Sequence, residues 1–315
     1  MSDQLVKFML GTGHVRGVMV RLEATWAELQ RRRSYPQAVA GLVGQMAAAS
    51  ALLAGSLKFD GALILQMQGD GPLKLAVAEC QPDFGLRATA KMDAAFDDSS
   101  ALPSDLAALL NTHGQGRCAI TLDPRNPQSG LQPYQGIVAL TDAQGHTLPT
   151  LAAVLEQYLA QSEQIDSMLL LASNAQVVSG LLLQRMPGAQ QATGAAGGNS
   201  ADDDFARARH LAATLQDDEL LQLAPEDILR RLFWEEEARV FEPLAPRFHC
   251  TCSRARVAGM LRMLGRGEVE SILADQGEVD VRCEFCGQGY AFDAIDAAQV
   301  FVNELDQPPV SPSRH

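Results

Sequence analysis

The sequence predicts an α+β protein: a mixed α/β N-terminal domain with a β-sheet and packed helices, a helical linker, and a small C-terminal domain. Three observations predict it. Short apolar runs with strand and helix periods alternate through residues 1–186. A run of Gly, Ala, Gln and Thr then breaks all periodicity from Pro187 to Ser200. Four of the 6 cysteines fall between positions 250 and 286, in a stretch too short to build much core.

The elements follow in order. Gly11-Thr-Gly13-His-Val-Arg-Gly17 reads as a turn between two strands; its spacing misses the dinucleotide fingerprint and no Gly-Lys-Ser/Thr follows. Thr25-Trp-Ala-Glu28 has the form of a capping box that opens a short helix. That helix must end near Ser34, because Pro36 disfavours helical geometry in its predecessor. From Pro36 to Leu57 the chain is nearly all small or apolar, long enough to span a bilayer. Gln37, Gln45 and Ser50 interrupt it and no charge asymmetry flanks it, so a buried core helix is expected and no membrane partner. Strands are predicted over 62–68 and 73–78, joined by the turn signal Gly69-Asp-Gly-Pro72, and over 87–92, 117–123, 134–141, 167–172 and 177–185. Helices are predicted over 104–110 and 149–161.

Beyond the run at 187–200, whose composition is that of a flexible linker, residues 205–240 turn helical again. Pro225 suits a first helical position, and Glu226 and Asp227 complement the positive end of the helix dipole. Ile228, Leu229, Leu232 and Phe233 form one apolar stripe. A lone helix of this length is marginal in water, so the segment needs a surface to dock against. The C-terminal unit is expected over 241–300 and a Pro- and Ser-rich disordered tail over 301–315.

Composition bounds the function. The net charge of -13 repels phosphate backbones, and aromatics at 5% leave few rings to stack on bases, so nucleic acid is not an expected partner. The N-terminus lacks a basic start followed by an apolar core, which predicts a cytoplasmic chain with reduced thiols. No Ser/His/Asp set is detectable by spacing, and a disulfide oxidoreductase would carry one C-x-x-C at a helix start, so no enzyme is expected.

The chemistry concentrates in Cys250-Thr-Cys252, thirty intervening residues, then Cys283-Glu-Phe-Cys286-Gly287. Four thiolates around a tetrahedral ion are a structural zinc arrangement, and closely paired ligands reduce the entropy lost on closing the site. One Zn2+ per chain on Cys250, Cys252, Cys283 and Cys286 is therefore expected, making the small domain a zinc-binding one. His249 adjoins the first pair but the four cysteines complete the shell. Cys80 and Cys118 lie in strand-like segments and read as buried free thiols. Spacing leaves two readings of the metal. One is an inert zinc ribbon of the nucleic-acid-binding kind, with Arg254, Arg256, Arg262 and Arg266 on a basic helix. The other is a redox switch, since the thiolates of a C-x-C are oxidisable and a strained short-ring disulfide is labile.

The chain resembles the bacterial redox-regulated 33 kDa heat-shock chaperones, the 33 kDa chaperonin family, from about Val15 to Phe292. The resemblance is carried by Val15-Arg-Gly17, Leu57-Lys-Phe-Asp-Gly61, Gln68-Gly-Asp-Gly-Pro72, Tyr134-Gln-Gly136, Tyr158 with Ser162-Glu-Gln164, and above all Cys250-Thr-Cys-Ser-Arg254 and Cys283-Glu-Phe-Cys-Gly287. It implies a holdase that is zinc-bound, monomeric and inactive when reduced. Oxidation implies Cys250–Cys252 and Cys283–Cys286 disulfides, loss of zinc, unfolding of the C-terminal unit and linker, and a homodimer. The active form would hold unfolded client proteins without ATP and pass them to downstream ATP-dependent chaperones. Residues 1–186 would serve client binding and dimerisation. Phe205, Leu211, Leu215, Leu220, Leu221, Ile228, Leu229, Leu232 and Phe233 become client-binding candidates, exposed when the linker loses its dock with the zinc domain. The run Gly188–Ser200 looks longer than the family requires.

Overall fold

Segments of alternating polarity build two sheets, and the long apolar helix lies between them. The computed structural model describes residues 3–11, 13–94, 102, 103, 105–126, 130, 132–186 and 201–305. The chain divides into a unit ending at His249 and a second beginning at Cys250. The first contains, in order, β1 (Gln4–Met9), β2 (Val15–Leu22), α1 (Ala24–Arg32), α2 (Gln37–Ser56), β3 (Gly61–Gln68), β4 (Leu73–Cys80), β5 (Gly85–Met92), α3 (Leu106–Leu110), β6 (Arg117–Pro124), β7 (Tyr134–Ala139), α4 (Leu151–Ser162), β8 (Ser167–Ser173) and β9 (Val178–Arg185). It continues with α5 (Ala201–Ala212), α6 (Asp217–Gln222), α7 (Pro225–Phe233), β10 (Arg239–Val240) and β11 (Arg247–Phe248).

One sheet has the order β10-β1-β2-β9-β8 and the other β11-β5-β4-β3-β6-β7. All pairings are antiparallel except that of β11 with β5. The predicted strands are present with ends shifted by a residue or two. α2 packs on β2, β8 and β9 of the first sheet and on β3, β4 and β5 of the second. A helix without a polar stripe must be covered all round. Ala47, Ala48, Ala49 and Ala51 are small enough for both sheets to approach, and all are buried.

The capping box is a correction. α1 begins at Ala24, and neither Thr25 nor Glu28 caps it. Asp3, far away in sequence, accepts from the backbone amides of Glu23, Ala24 and Thr25 at 2.6, 2.8 and 2.7 Å. One carboxylate with two oxygens satisfies three free donors at once, which a Thr hydroxyl at the second helical position cannot do. Glu28 instead pairs with Arg31 and Arg32.

The larger correction concerns the linker helices. α5 starts at Ala201, earlier than expected, with Asp202, Asp203 and Asp204 in its first turn. Their dock is a face of the first sheet, within the same unit. Phe205, Leu215, Leu220, Leu221, Ile228, Leu229, Leu232 and Phe233 are buried in one cluster with Val6, Phe8, Val15, Met19, Leu181 and Leu183, and Leu211 packs against it partly buried. The other faces of the same strands meet α2, so this sheet is apolar on both sides and requires a second cover. Gly17 leaves room for the ring of its cross-strand partner Phe8: a Cβ there would lie 2.0 Å from that ring. Polar contacts fix the register. The Arg21 guanidinium, nearly fully buried, donates to the Leu221 carbonyl and pairs with Glu23. Asp204 bonds His14 Nδ1 at 2.8 Å and Arg207 at 2.9 Å, and Arg207 reaches Glu236 at 2.6 Å.

Two of the quoted motifs meet where α4 packs on β7 of the second sheet. A Cβ at Gly136 on β7 would meet the Tyr158 ring at 2.4 Å, and the Tyr158 hydroxyl donates to Glu163 at 2.8 Å. Residues 187–200, where the flexible insertion is expected, and 306–315 of the tail lie outside the described residues. Residues 301–305 are not tail but the last turns of a helix, with Phe301 buried.

The second unit comprises α8 (Arg254–Leu264), α9 (Arg266–Gln276), the hairpin β12 (Val279–Arg282) with β13 (Gly289–Phe292), and α10 (Ala294–Leu305). Its buried core among the described residues is Leu261, Val269, Val279, Phe292, Ala297, Val300 and Phe301. The segment 241–249, expected within this unit, instead belongs to the first, where β11 pairs with β5. A two-residue strand has no periodicity for sequence reasoning to detect.

Candidate metal centre

Two backbone devices bring the four cysteines together. Cys250 and Cys252 precede α8, whose N-cap Ser253 accepts from the Arg256 amide at 3.2 Å. Arg256 also donates to Thr251 between the two cysteines at 2.6 Å. Cys283 and Cys286 occupy the turn of the β12–β13 hairpin. The Gly287 amide donates to the Cys283 carbonyl at 2.8 Å and the Cys283 amide to the Gln288 carbonyl at 2.9 Å. Gly287 has φ 74, the left-handed conformation that lets the chain turn back toward its own sulfurs.

The four sulfurs lie within 4.8 Å of one another. Cys250 Sγ is 3.7 Å from Cys283 Sγ, and Cys252 Sγ is 3.4 Å from Cys286 Sγ. Sulfurs 2.3 Å from a tetrahedral ion would stand about 3.8 Å apart, so the spacing fits a zinc-sized metal. Burial pushes the Cys286 thiol up to about 12, and its contacts with the other three sulfurs push the same way. Thiols so placed ionise together only around a cation. His249 is not among the clustered groups.

Sequence reasoning missed Tyr290. On β13 opposite Val281, it donates its hydroxyl to Cys252 Sγ at 3.1 Å. That bond, followed by burial and the nearby sulfurs, pushes the Tyr290 phenol up to about 12. The spacing Cys-Gly-Gln-Gly-Tyr carries no hint of it, because its partner lies in the other cysteine motif. Arg254 braces the site: it donates to the Ala291 carbonyl at 2.8 Å, pairs with Asp296 at 2.7 Å and stacks 4.2 Å from the Phe292 ring centroid. The single basic helix expected from the sequence is not formed: Arg254, Arg256 and Arg262 lie on α8, whereas Arg266 opens α9 and pairs with Glu270 at 2.8 Å.

The remaining cysteines sit elsewhere. Cys80 and Cys118 are fully buried on β4 and β6, on opposite sides of β3 and opposite Leu63 and Met67. Burial pushes both thiols up to about 12. The client-binding candidates are brought together as a single stripe, but it faces the sheet. Sequence reasoning missed the other half of that contact, the sheet face carrying Phe8 and Met19, because it could not assign α5–α7 a partner.

Comparison with known proteins gives a consistent result. The Hsp33 protein family matches residues 3–293. A 33 kDa chaperonin from Chromobacterium violaceum is 44% identical over 299 residues, 95% of this chain and 94% of the relative. Another from Methylobacillus flagellatus is 42% identical over 309 residues, 98% and 97% of the two chains. The crystal structure of a 33 kDa chaperonin, a heat shock protein 33 homolog from Thermotoga maritima, shares the fold with TM-score 0.76 at 20% identity, covering 98% of this chain and 100% of that one.

Proposed function

The chain belongs to the Hsp33 family, chaperones rather than enzymes, and from that premise we propose that it is a redox-regulated, ATP-independent holdase. One observation carries the proposal: four cysteine sulfurs within 4.8 Å, in a unit whose buried core among the described residues is seven side chains. Zinc held by Cys250, Cys252, Cys283 and Cys286 would keep all four ionised and tie the C-x-C to the hairpin. Structural zinc supplies an apparent ~10–16 kcal/mol in small zinc peptides, comparable to or above a whole domain's margin of ~5–15 kcal/mol.

Oxidation removes the ligands. A thiolate attacks peroxide, giving a sulfenic acid and hydroxide. A second thiolate displaces hydroxide from that sulfur, so each disulfide consumes two thiolates and one peroxide and yields two hydroxides. The sulfur contacts at 3.7 and 3.4 Å run between the two motifs, so proximity does not select a pairing within each motif. The family resemblance supports Cys250–Cys252 and Cys283–Cys286. Those partners stay within reach of each other after the cluster opens, whereas the two motifs separate.

With its metal gone the second unit unfolds. Loosening then passes through residues 239–249 into α5–α7, baring both the linker stripe and the sheet face beneath it as apolar surface for unfolded clients. Dimerisation, and return of clients to ATP-dependent chaperones on reduction, complete the cycle. The test follows zinc content, free thiols and light scattering of a heat-denatured client together during warm peroxide treatment. Thiol and zinc loss should precede suppression of aggregation. Full suppression with zinc retained, or activity indifferent to Cys→Ser at all four positions, overturns the proposal.

A further inference from the structure

The zinc cluster has a neighbour to which the cycle above gives no task. Tyr290 is carried by the hairpin that presents Cys283 and Cys286, yet its hydroxyl reaches Cys252 Sγ of the other motif at 3.1 Å. The strand register fixes this approach. Arg282 pairs with Gly289 and Val281 with Tyr290, while the ring packs against the small core that includes Phe292. The hydroxyl is therefore held by both a backbone ladder and a packed ring.

A hydrogen bond to a metal-bound thiolate does two things. It orients the ligand, and it draws charge from the sulfur, which lowers its nucleophilicity. We propose that Tyr290 is a positioning residue of the switch: its hydroxyl holds Cys252 in the cluster and restrains its attack on peroxide, setting how much oxidant opens the site. The inference rests on the zinc–thiolate reading above and deepens it by naming a side chain that tunes the threshold.

Tyr290→Phe keeps the ring and removes the donor. The full chain, reduced and zinc-loaded, is followed in two reactions: zinc release under excess hydrogen peroxide, and zinc release to a chelator without oxidant. Alkylation of Cys252 by iodoacetamide is read by peptide mass spectrometry. Peroxide-driven release should accelerate about fivefold, the factor corresponding to one ordinary net hydrogen bond. Cys252 alkylation should rise with it, while zinc content and chelator-driven release stay at wild-type values. An unchanged or slower peroxide reaction overturns the inference. So does equal acceleration of both releases, which would make the hydroxyl a merely structural brace. A wild type that keeps its zinc under peroxide overturns the parent reading and this inference with it. A responsive wild type with an unaltered variant overturns the inference alone.

Discussion

Replacing Phe233 by alanine removes the last buried ring of α7 from its seat on the first sheet. Phe233 is 1% exposed, and its ring centroid lies 5.8 Å from that of Phe8. Truncation of a buried phenylalanine costs about 3–5 kcal/mol, cavity included. With tenfold per ~1.4 kcal/mol, the undocked population of the linker should rise by roughly two to three and a half orders of magnitude. Because α5–α7 are held by one cluster on one sheet face, the effect should be local. Hydrogen exchange on the reduced, zinc-loaded variant reads it directly. Peptides from 201–233 should lose protection by about that factor, while β3, β4 and the zinc content are unchanged. Partial suppression of client aggregation without oxidant should accompany the loss, and Phe233→Asp should go further in the same direction. Unchanged protection of α5–α7 would refute the idea that this stripe holds the linker. Protection lost evenly across the first unit would show instead that the linker is part of its core.

Two further outcomes follow from the thiols. Warm peroxide should consume four thiols and leave two, Cys80 and Cys118, which react with a thiol reagent only in guanidinium. Loss of either in native protein would contradict their burial. Zinc uptake by the metal-free reduced protein should release protons, since Cys286, with its thiol pushed up to about 12, must deprotonate to ligate. Apparent affinity should therefore fall as pH falls, and calorimetric heats should differ between buffers of unlike ionisation enthalpy. Buffer-independent heats would argue against a thiol ligand set.

Much of this architecture was legible in the sequence, and the reasons are local. β3 reads as a short apolar-rich run, Ala62-Leu-Ile-Leu-Gln-Met-Gln68, closed by the turn signal Gly69-Asp-Gly-Pro72, the pattern that predicts a strand. α2 announced its burial by lacking a polar stripe. The cysteines were legible because ligand spacing is itself the chemistry. What stayed hidden depends on distant parts of the chain. Asp3 caps a helix some twenty residues away, Tyr290 meets a sulfur in the other motif, and nothing in the stripe of α7 says which surface it covers. The misread capping box shows the same limit: Thr25 and Glu28 had the correct spacing, but a better-placed carboxylate took the amides.

The two-residue strands before Cys250 have a mechanical consequence. Between residues 239 and 249 the chain is tacked to the sheets by a short seam, including Phe241 to Lys7, the reciprocal Leu5–Leu244 pair, Arg247 to Phe84 and His249 to Leu86. β10 and β11 each occupy the margin of a sheet, so peeling them away disturbs no interior strand. The seam is like a perforation: in the proposed cycle a tear entering at residue 249 would run up to the helices without ripping the body behind them. Once torn, β1 and β5 become margins themselves, each with a row of amides and carbonyls newly open to the surroundings.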